Sequence, residues 1–227
     1  QVQSSFGHGD CYVYNCGTGT AVAGMPTGHF GFDTNSADYG CYDVVAESCN
    51  YGIRILDDTV GTHLRGSVLN AVYGGFTLDS QLAIPASKVR NCIVDVSVQG
   101  GCLYWGAGIS TRSIGNHVTA SVVDITGTGF IDNSTLTSGN TLRVSTSGCL
   151  GAGTTSLGSN NVWDISSKND GQSGGLFAVD FWGSKNLIRS TVVDENNITN
   201  GFIFRGTASN NILTAYTQSV LNPYVDQ

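Results

Sequence analysis

The chain has 227 residues, which allows one large domain or two small ones and a sizeable buried core. Glycine contributes 31 residues, about twice its usual share, and charged residues only 12%, about half of theirs. No stretch is dominated by strong helix formers, which excludes a helical bundle; 40% hydrophobic residues exclude ordinary disorder; and a net charge of −7 without a basic patch argues against nucleic acid or an anionic membrane as partner.

Residues 1–50 are the least regular. Gly28-His29-Phe30-Gly31-Phe32 and Tyr39-Gly40-Cys41-Tyr42-Asp43-Val44-Val45 read either as two poor copies of a repeat that becomes regular from residue 51, or as a cap over its end. The chain starts at Gln1 and not at Met, which reads as processing or as a cut from something longer. No apolar run approaches the ~18 residues of a membrane span, so membrane insertion is not expected.

The repeat has two elements. The first is Gly, an apolar residue, a variable residue and another apolar residue. Copies start at Gly52, Gly75, Gly101, Gly129, Gly175 and Gly201, with a weaker one at Gly148. The second is an Asn before a short β-prone run: Asn91, Asn116, Asn140, Asn161, Asn186 and Asn211. Thr62-His63-Leu64-Arg65 is an earlier copy without the Asn. The first element recurs every ~19–28 residues, in the range of stacked repeats. Two β-type runs per period, joined by Gly/Ser/Thr/Asn turns, describe one coil of a parallel β-helix, an all-β solenoid. An Asn at the same place in successive coils predicts an amide ladder, where Asp would stack like charges. Asn222-Pro223 ends the pattern, because Pro lacks a backbone donor. The expected organisation is a single domain: irregular coils or a cap over 1–50, continuous with a β-helix over 51–227.

Seven cysteines cannot all pair within one chain. Cys11 with Cys16, and Cys41 with Cys49, are near enough in sequence for local bridges; the other reading is free thiols serving as small buried hydrophobes. The four histidines are scattered over different coils, so neither a metal site nor a cofactor is expected.

The segments Gly201-Phe202-Ile203-Phe204-Arg205-Gly206 with Asn210-Asn211-Ile212-Leu213, and Gly175-Leu176-Phe177 with Asn186-Leu187-Ile188, carry a resemblance. Over roughly residues 50 to 220 the chain resembles the right-handed parallel β-helix (pectate-lyase-like) superfamily, and most of all bacteriophage tailspike and tail-fibre β-helix domains. The resemblance implies a homotrimer on a virion surface, or otherwise extracellular, that binds and often cleaves a bacterial surface polysaccharide. The calcium-binding acids of pectate lyases have no counterpart. The polygalacturonase motifs are matched only in fragments, by Gly7-His8-Gly9, Arg54-Ile55-Leu56 and Asp57-Asp58, in the wrong order and with Leu for Lys.

Register in the first strand column is expected to align Asp57, Asp79, Trp105, Asp132, Asp180 and Arg205. Neighbouring coils hold equivalent residues about 4.8 Å apart and alternate coils about 9.6 Å apart. These distances bracket the carboxylate separations of retaining and inverting glycosidases. Asp79, Asp132 and Asp180 are therefore the candidate catalytic acids, with Tyr104, Trp105, Trp182 and Arg205 as candidate sugar contacts. The competing reading has these aspartates bonding turn amides and the aromatics, Trp163 among them, filling the core. Three functional readings remain: a tailspike-like glycan-recognition domain, a secreted monomeric polysaccharide hydrolase or lyase, and a structural virion decoration or adhesin stalk without a site.

Overall fold

The computed structural model describes residues 8–16, 30–35, 38–56, 58–79, 88–110, 112–173, 177–195, 200–206, 208–220 and 222–226. It is a parallel β-solenoid without helices among these residues. One nine-stranded sheet contains β1 (His8–Tyr14), β3 (Cys41–Glu47), β5 (His63–Ala71), β8 (Ile93–Gly101), β11 (His117–Val123), β13 (Thr141–Ser147), β15 (Val162–Lys168), β17 (Leu187–Val193) and β19 (Ile212–Gln218), in that order. A second contains β2 (Phe30–Asn35), β4 (Tyr51–Leu56), β6 (Gly74–Asp79), β9 (Trp105–Ile109), β12 (Thr128–Asp132), β14 (Thr154–Ser156), β16 (Phe177–Phe181), β18 (Asn200–Phe204) and β20 (Tyr224–Asp226). A narrow third side is made by β7 (Val89–Arg90), β10 (Ser113–Ile114) and single bridges through Val60 and Ser138. The described parts of residues 1–50 continue both sheets in register, through β1 on β3 and β2 on β4.

The first sheet arises directly from binary patterning. β11, β13 and β17 alternate exposed and buried residues, as a strand with one solvated face must. The inward residues of consecutive rungs, such as Val94, Val118, Leu142, Trp163 and Ile188, stack in one line. Trp163 lies in that line, 1% exposed, edge-on to Phe130 and Phe181 at 5.8 and 5.3 Å. It fills the core and is no sugar contact.

Each strand of the first sheet from β3 to β19 is entered through a left-handed residue. Tyr39, Gly61, Asn91, Gly115, Gly139, Asn160, Lys185 and Asn210 occupy this corner, all with φ between 55° and 67°. Glycine and asparagine dominate because they tolerate αL best. The next residue points inward and carries the ladder. Asn116 Nδ2 donates to Val89 O (3.1 Å) and to Asn140 Oδ1 (3.2 Å), while Asn140 Oδ1 also accepts the Asn116 backbone N–H (2.9 Å). Asn140, Asn161, Asn186 and Asn211 continue the pattern of backbone N–H to the next amide oxygen. Asn91 does not belong to it. It is the left-handed corner residue itself, and Cys92 takes the ladder position and donates its N–H to Asn116 Oδ1 (2.9 Å).

Glycine forms a column of its own in the second sheet. Strand register aligns Gly31, Gly52, Gly75, Gly106, Gly129, Gly153, Ala178 and Gly201. The copies at Gly101 and Gly148 are thus one corner out of phase; Gly106 and Gly153 hold the place. A Cβ at Gly75 would lie 2.3 Å from Gly106 O and one at Gly129 would lie 2.5 Å from Gly153 O. The column lies inside the coil, where the second sheet turns tightly against Val68, Val98 and Val122 of the first.

All seven cysteines are free thiols, with Cys49, Cys92, Cys102 and Cys149 buried. The local bridges are geometrically impossible. Cys41 begins strand β3 and Cys49 lies past the corner at its other end, with about 20 Å of strand between, and Cys11 and Cys16 are likewise separated by about 10 Å of β1 and then a corner. No helix among the described residues is long and apolar enough to cross a membrane.

Candidate functional site

The expected acid column does not form. Asp57 lies outside the described residues. Asp79 aligns with Leu56 at the outer end of its strand, whereas Asp132 aligns with Ile109 and Ser156 and points into the core. A one-residue offset between strand ends moves a side chain to the other face of the sheet. Asp180 stands in a third column, opposite Thr155 and Ile203. Asp79 and Asp180 are four rungs apart, about 19 Å.

Asp132 is fully buried and cannot touch a substrate. Its carboxylate accepts from Thr137 Oγ1 (2.6 Å), Ser156 Oγ (2.9 Å) and Gly158 N (3.1 Å). Loss of hydration pushes it up to about 6 in spite of these donors. Asp170 behaves likewise. It accepts from Thr146 and Ser167 hydroxyls, both at 2.5 Å, and from Cys149 N, and burial raises its carboxyl. Both are corner acids that satisfy the interior, as the turn-aspartate reading has it.

Three of the other candidates do come together. Arg205 Nε donates to both Asp180 oxygens, at 2.9 and 3.1 Å. Its guanidinium carbon lies 5.3 Å from the Trp182 ring centre and 5.6 Å from that of Phe177. Trp182 is 41% exposed, and the Asp180–Arg205 pair is partly exposed. The strand places these groups by its pleat. Phe177 opens β16, Asp180 lies near its end and Trp182 just past it, and Arg205 comes just after β18 on the adjoining rung. A guanidinium braced by a carboxylate and flanked by aromatic faces offers N–H donors and a flat apolar surface together, the two features a pyranose ring needs.

The same grouping recurs near the other end of the sheet. Arg54 pairs with Asp33 through Nε (3.2 Å) and Nη2 (2.6 Å), and stacks on Phe30 at 4.3 Å. In both groups the aromatic precedes the Asp by three residues and the Arg comes from the next coil. Sequence reading missed this second group because Asp33 and Phe30 fall in the irregular first fifty residues. The spacing Phe-x-x-Asp with Arg one coil on was the available signal.

Between the two lies an aromatic track on the outer face. Tyr51 contacts Phe30 (5.1 Å), Tyr73 (5.5 Å) and Trp105 (5.8 Å), and Tyr104 stacks on Tyr73 (5.6 Å) and near Trp105 (6.1 Å). Tyr51 and Trp105 are separated by the rung of Gly74, where a Cβ would lie 2.7 Å from the indole. Glycine there lets the two rings meet. Tyr104 is 45% exposed and Trp105 partly so. The candidate sugar contacts thus fall into two patches, Tyr104 with Trp105 and Trp182 with Arg205.

The outer face of the first sheet holds a separate groove of about 630 Å³. Asp10, Asp43, Arg65 and Asp95 line it in direct register on β1, β3, β5 and β8, with Tyr12, Ser67 and Ser97 beside them. Asp10 and Asp43 sit on adjacent rungs, about 4.8 Å apart by backbone spacing. No group of three or more His, Cys, Asp or Glu among the described residues is arranged to hold a metal ion.

No known protein family matches the sequence, and no curated protein matches it. Two solved structures match in shape. The enzymatically active domain of bacteriophage CBA120 tailspike protein 2 superposes with a TM-score of 0.54 at 11% identity, over 82% of this chain and 35% of that one. The siphovirus 9NA tailspike receptor binding domain gives 0.40 at 12% identity, over 82% and 51%. The chain spans about a third of the first structure's length and half of the second's. The β-solenoid is therefore the architecture of a phage tailspike domain, shared at the level of fold.

Proposed function

We propose that this chain is a tailspike-like recognition domain, carried on a virion as a homotrimer, that binds a bacterial surface polysaccharide on the outer face of its second sheet. The observation that carries the reading is the paired Asp–Arg–aromatic grouping, at Asp180–Arg205–Trp182 and at Asp33–Arg54–Phe30, with Tyr104 and Trp105 between. The tailspike shape supports it. Arg54 and Arg205 are separated by six rungs, about 29 Å, a length suited to a chain of sugars lying along the axis. The low charge fits a neutral, hydroxyl-rich partner.

Titrating purified capsular and O-chain polysaccharides against intrinsic tryptophan fluorescence tests the reading. Binding by one of them, weakened at least tenfold in Arg205→Ala and in Trp182→Ala, supports it. Undiminished binding in both variants refutes the site. Light scattering on a sizing column tests assembly: three times 23.7 kDa is expected, and a single-chain mass contradicts the trimer.

Cleavage is the second reading, favoured by one observation. The aligned Asp10 and Asp43 in the first-sheet groove stand on adjacent rungs, about 4.8 Å apart by backbone spacing, close to the ~5–5.5 Å between the two carboxyls of retaining glycosidases. Asp43→Asn would then abolish release of reducing ends from a bound polysaccharide while leaving binding intact. Unchanged release excludes the pair.

A further inference from the structure

Cys16 and Cys49 fall at the same corner of two adjacent coils. β1 and β3 run in register to Tyr14 and Glu47. Each chain then turns through a left-handed residue, Asn15 at φ 54° and Ser48 at φ 53°, and the cysteine comes next. Backbone bonds hold the two corners together: Asn15 N donates to Glu47 O (2.9 Å) and Asn50 N to Cys16 O (2.8 Å). A rung spacing of about 4.8 Å lies inside the Cα separation that disulfides adopt. The Cys49 thiol reaches across to the neighbouring coil, 4.0 Å from Val13 O as well as 3.4 Å from Glu47 O, and the Cys16 thiol lies 3.9 Å from Tyr14 O. Cys16 is partly exposed and Cys49 is buried.

The pairing is selective. Cys41 is at the far end of β3, and Cys11 is on β1, five residues before Cys16. Cys92, Cys102 and Cys149 are sealed in other coils, where burial pushes the Cys92 thiol up to about 11 and the Cys102 thiol to about 12. Desolvation also raises the Cys49 thiol, so the accessible Cys16 is the group that reacts first.

We propose that Cys16 and Cys49 form an oxidative modification site, closing to an inter-coil disulfide in the presence of a small disulfide oxidant such as oxidised glutathione. The Cys16 thiolate attacks one glutathione sulfur, the glutathione S–S bond breaks, and the first glutathione thiolate leaves and takes up a proton. Cys49 then loses its proton and attacks Cys16 Sγ, forming the protein disulfide and expelling the second glutathione. Two protein thiols are oxidised and one glutathione disulfide is reduced to two thiols. The bond staples β1 to β3. β1 is the terminal rung of its sheet and pairs on one side only among the described residues, so it is where the coil opens most readily.

The test uses the full chain, incubated with oxidised glutathione and compared with a dithiothreitol-treated sample. Intact mass should fall by two hydrogens, and a non-reducing peptide map should contain one cross-linked species joining Cys16 to Cys49. The Tm should rise by about 5–15 °C, from a closed loop of this length in a chain of this size, and return on reduction. Cys16→Ser alters only the partly exposed member and keeps the buried Cys49 packing. It should show neither cross-link nor Tm rise. A cross-link between other cysteines, a product that stops at glutathionylated Cys16, or the same Tm rise in Cys16→Ser overturns the proposal.

Discussion

Replacing Gly106 by alanine places a methyl group where the coil has no room for one. The new Cβ would lie 2.3 Å from Val122 Cγ1 and 2.8 Å from Gly129 O. The second contact is the harder to relieve. The Gly129 carbonyl belongs to a rung fixed in turn by Gly129 N to Ala152 O (2.9 Å) and Phe130 N to Gly153 O (2.8 Å). Val122 is fully buried in the facing sheet and cannot swing away. An extra methylene-sized group in a close-packed core costs about 1–3 kcal/mol, and the pinned carbonyl puts this site near the upper end. For a chain of this size each kcal/mol moves Tm by about 2–4 °C, so a fall of about 5–10 °C is expected in scanning calorimetry. The far-ultraviolet dichroism at 20 °C should remain that of the parent. Gly9→Ala is the control, because nothing lies within 4 Å of its Cβ position. A Gly106→Ala protein as stable as the parent would refute the claim that close approach between rungs keeps glycine in this column.

Asn140→Ala removes the acceptor of the Asn116 backbone N–H and the donor to Ser113 O, both buried, at roughly 1–3 kcal/mol each; chemical denaturation should show a loss of that order, and a loss below ~0.5 kcal/mol would contradict the ladder's role. Asn140→Asp keeps the acceptor but turns a carboxylate toward Asn161 Oδ1 and Ser113 O, so its denaturation midpoint should recover as pH is lowered. Asp132 contributes a pH dependence of definite sign. Its folded carboxyl is raised from 3.8 to about 6, so its contribution is fully present below pH ~4 and lost as pH rises through about 6, by something of order 3 kcal/mol. The difference in Tm between pH 5 and pH 7.5 should shrink in Asp132→Asn, and an unchanged difference would show that the carboxyl is ionised throughout. Trp163→Phe deletes an indole N–H that finds no partner among the described residues, and it should be far milder than Trp163→Ala, which empties a site between two aromatic rings at about 3–5 kcal/mol.

Much of the coil was legible because its constraints repeat. Five of the six asparagines singled out in the sequence form the ladder, since an amide offers the corner an acceptor and a donor together on a short stem. Asn91 misled because asparagine also suits the left-handed residue immediately before. The glycine repeat was read one corner early at Gly101 and Gly148 for the same reason: glycine serves turns as well as the close-packed column. The acid column failed on register. Placing Asp79, Asp132 and Asp180 on one line required knowing each strand end to a single residue, and a pleated strand reverses its side chains at every step. Trp182, Arg205 and Asp180 still met, because residues two apart on one strand share a face and the next rung is only about 4.8 Å away. Asp33 escaped because it lies in the irregular first fifty residues, so the regular copy that holds Arg54 had no earlier copy to be set against.

The central claim is that the outer face of the second sheet recognises polysaccharide through its two Asp–Arg–aromatic groups. The most direct measurement is calorimetric titration of the parent and of an Arg54→Ala/Arg205→Ala double variant with the polysaccharide that binds best in the fluorescence panel. The account predicts that the double variant keeps the parent's β-sheet dichroism and loses at least a hundredfold in affinity. Equal affinity in the two proteins would contradict it.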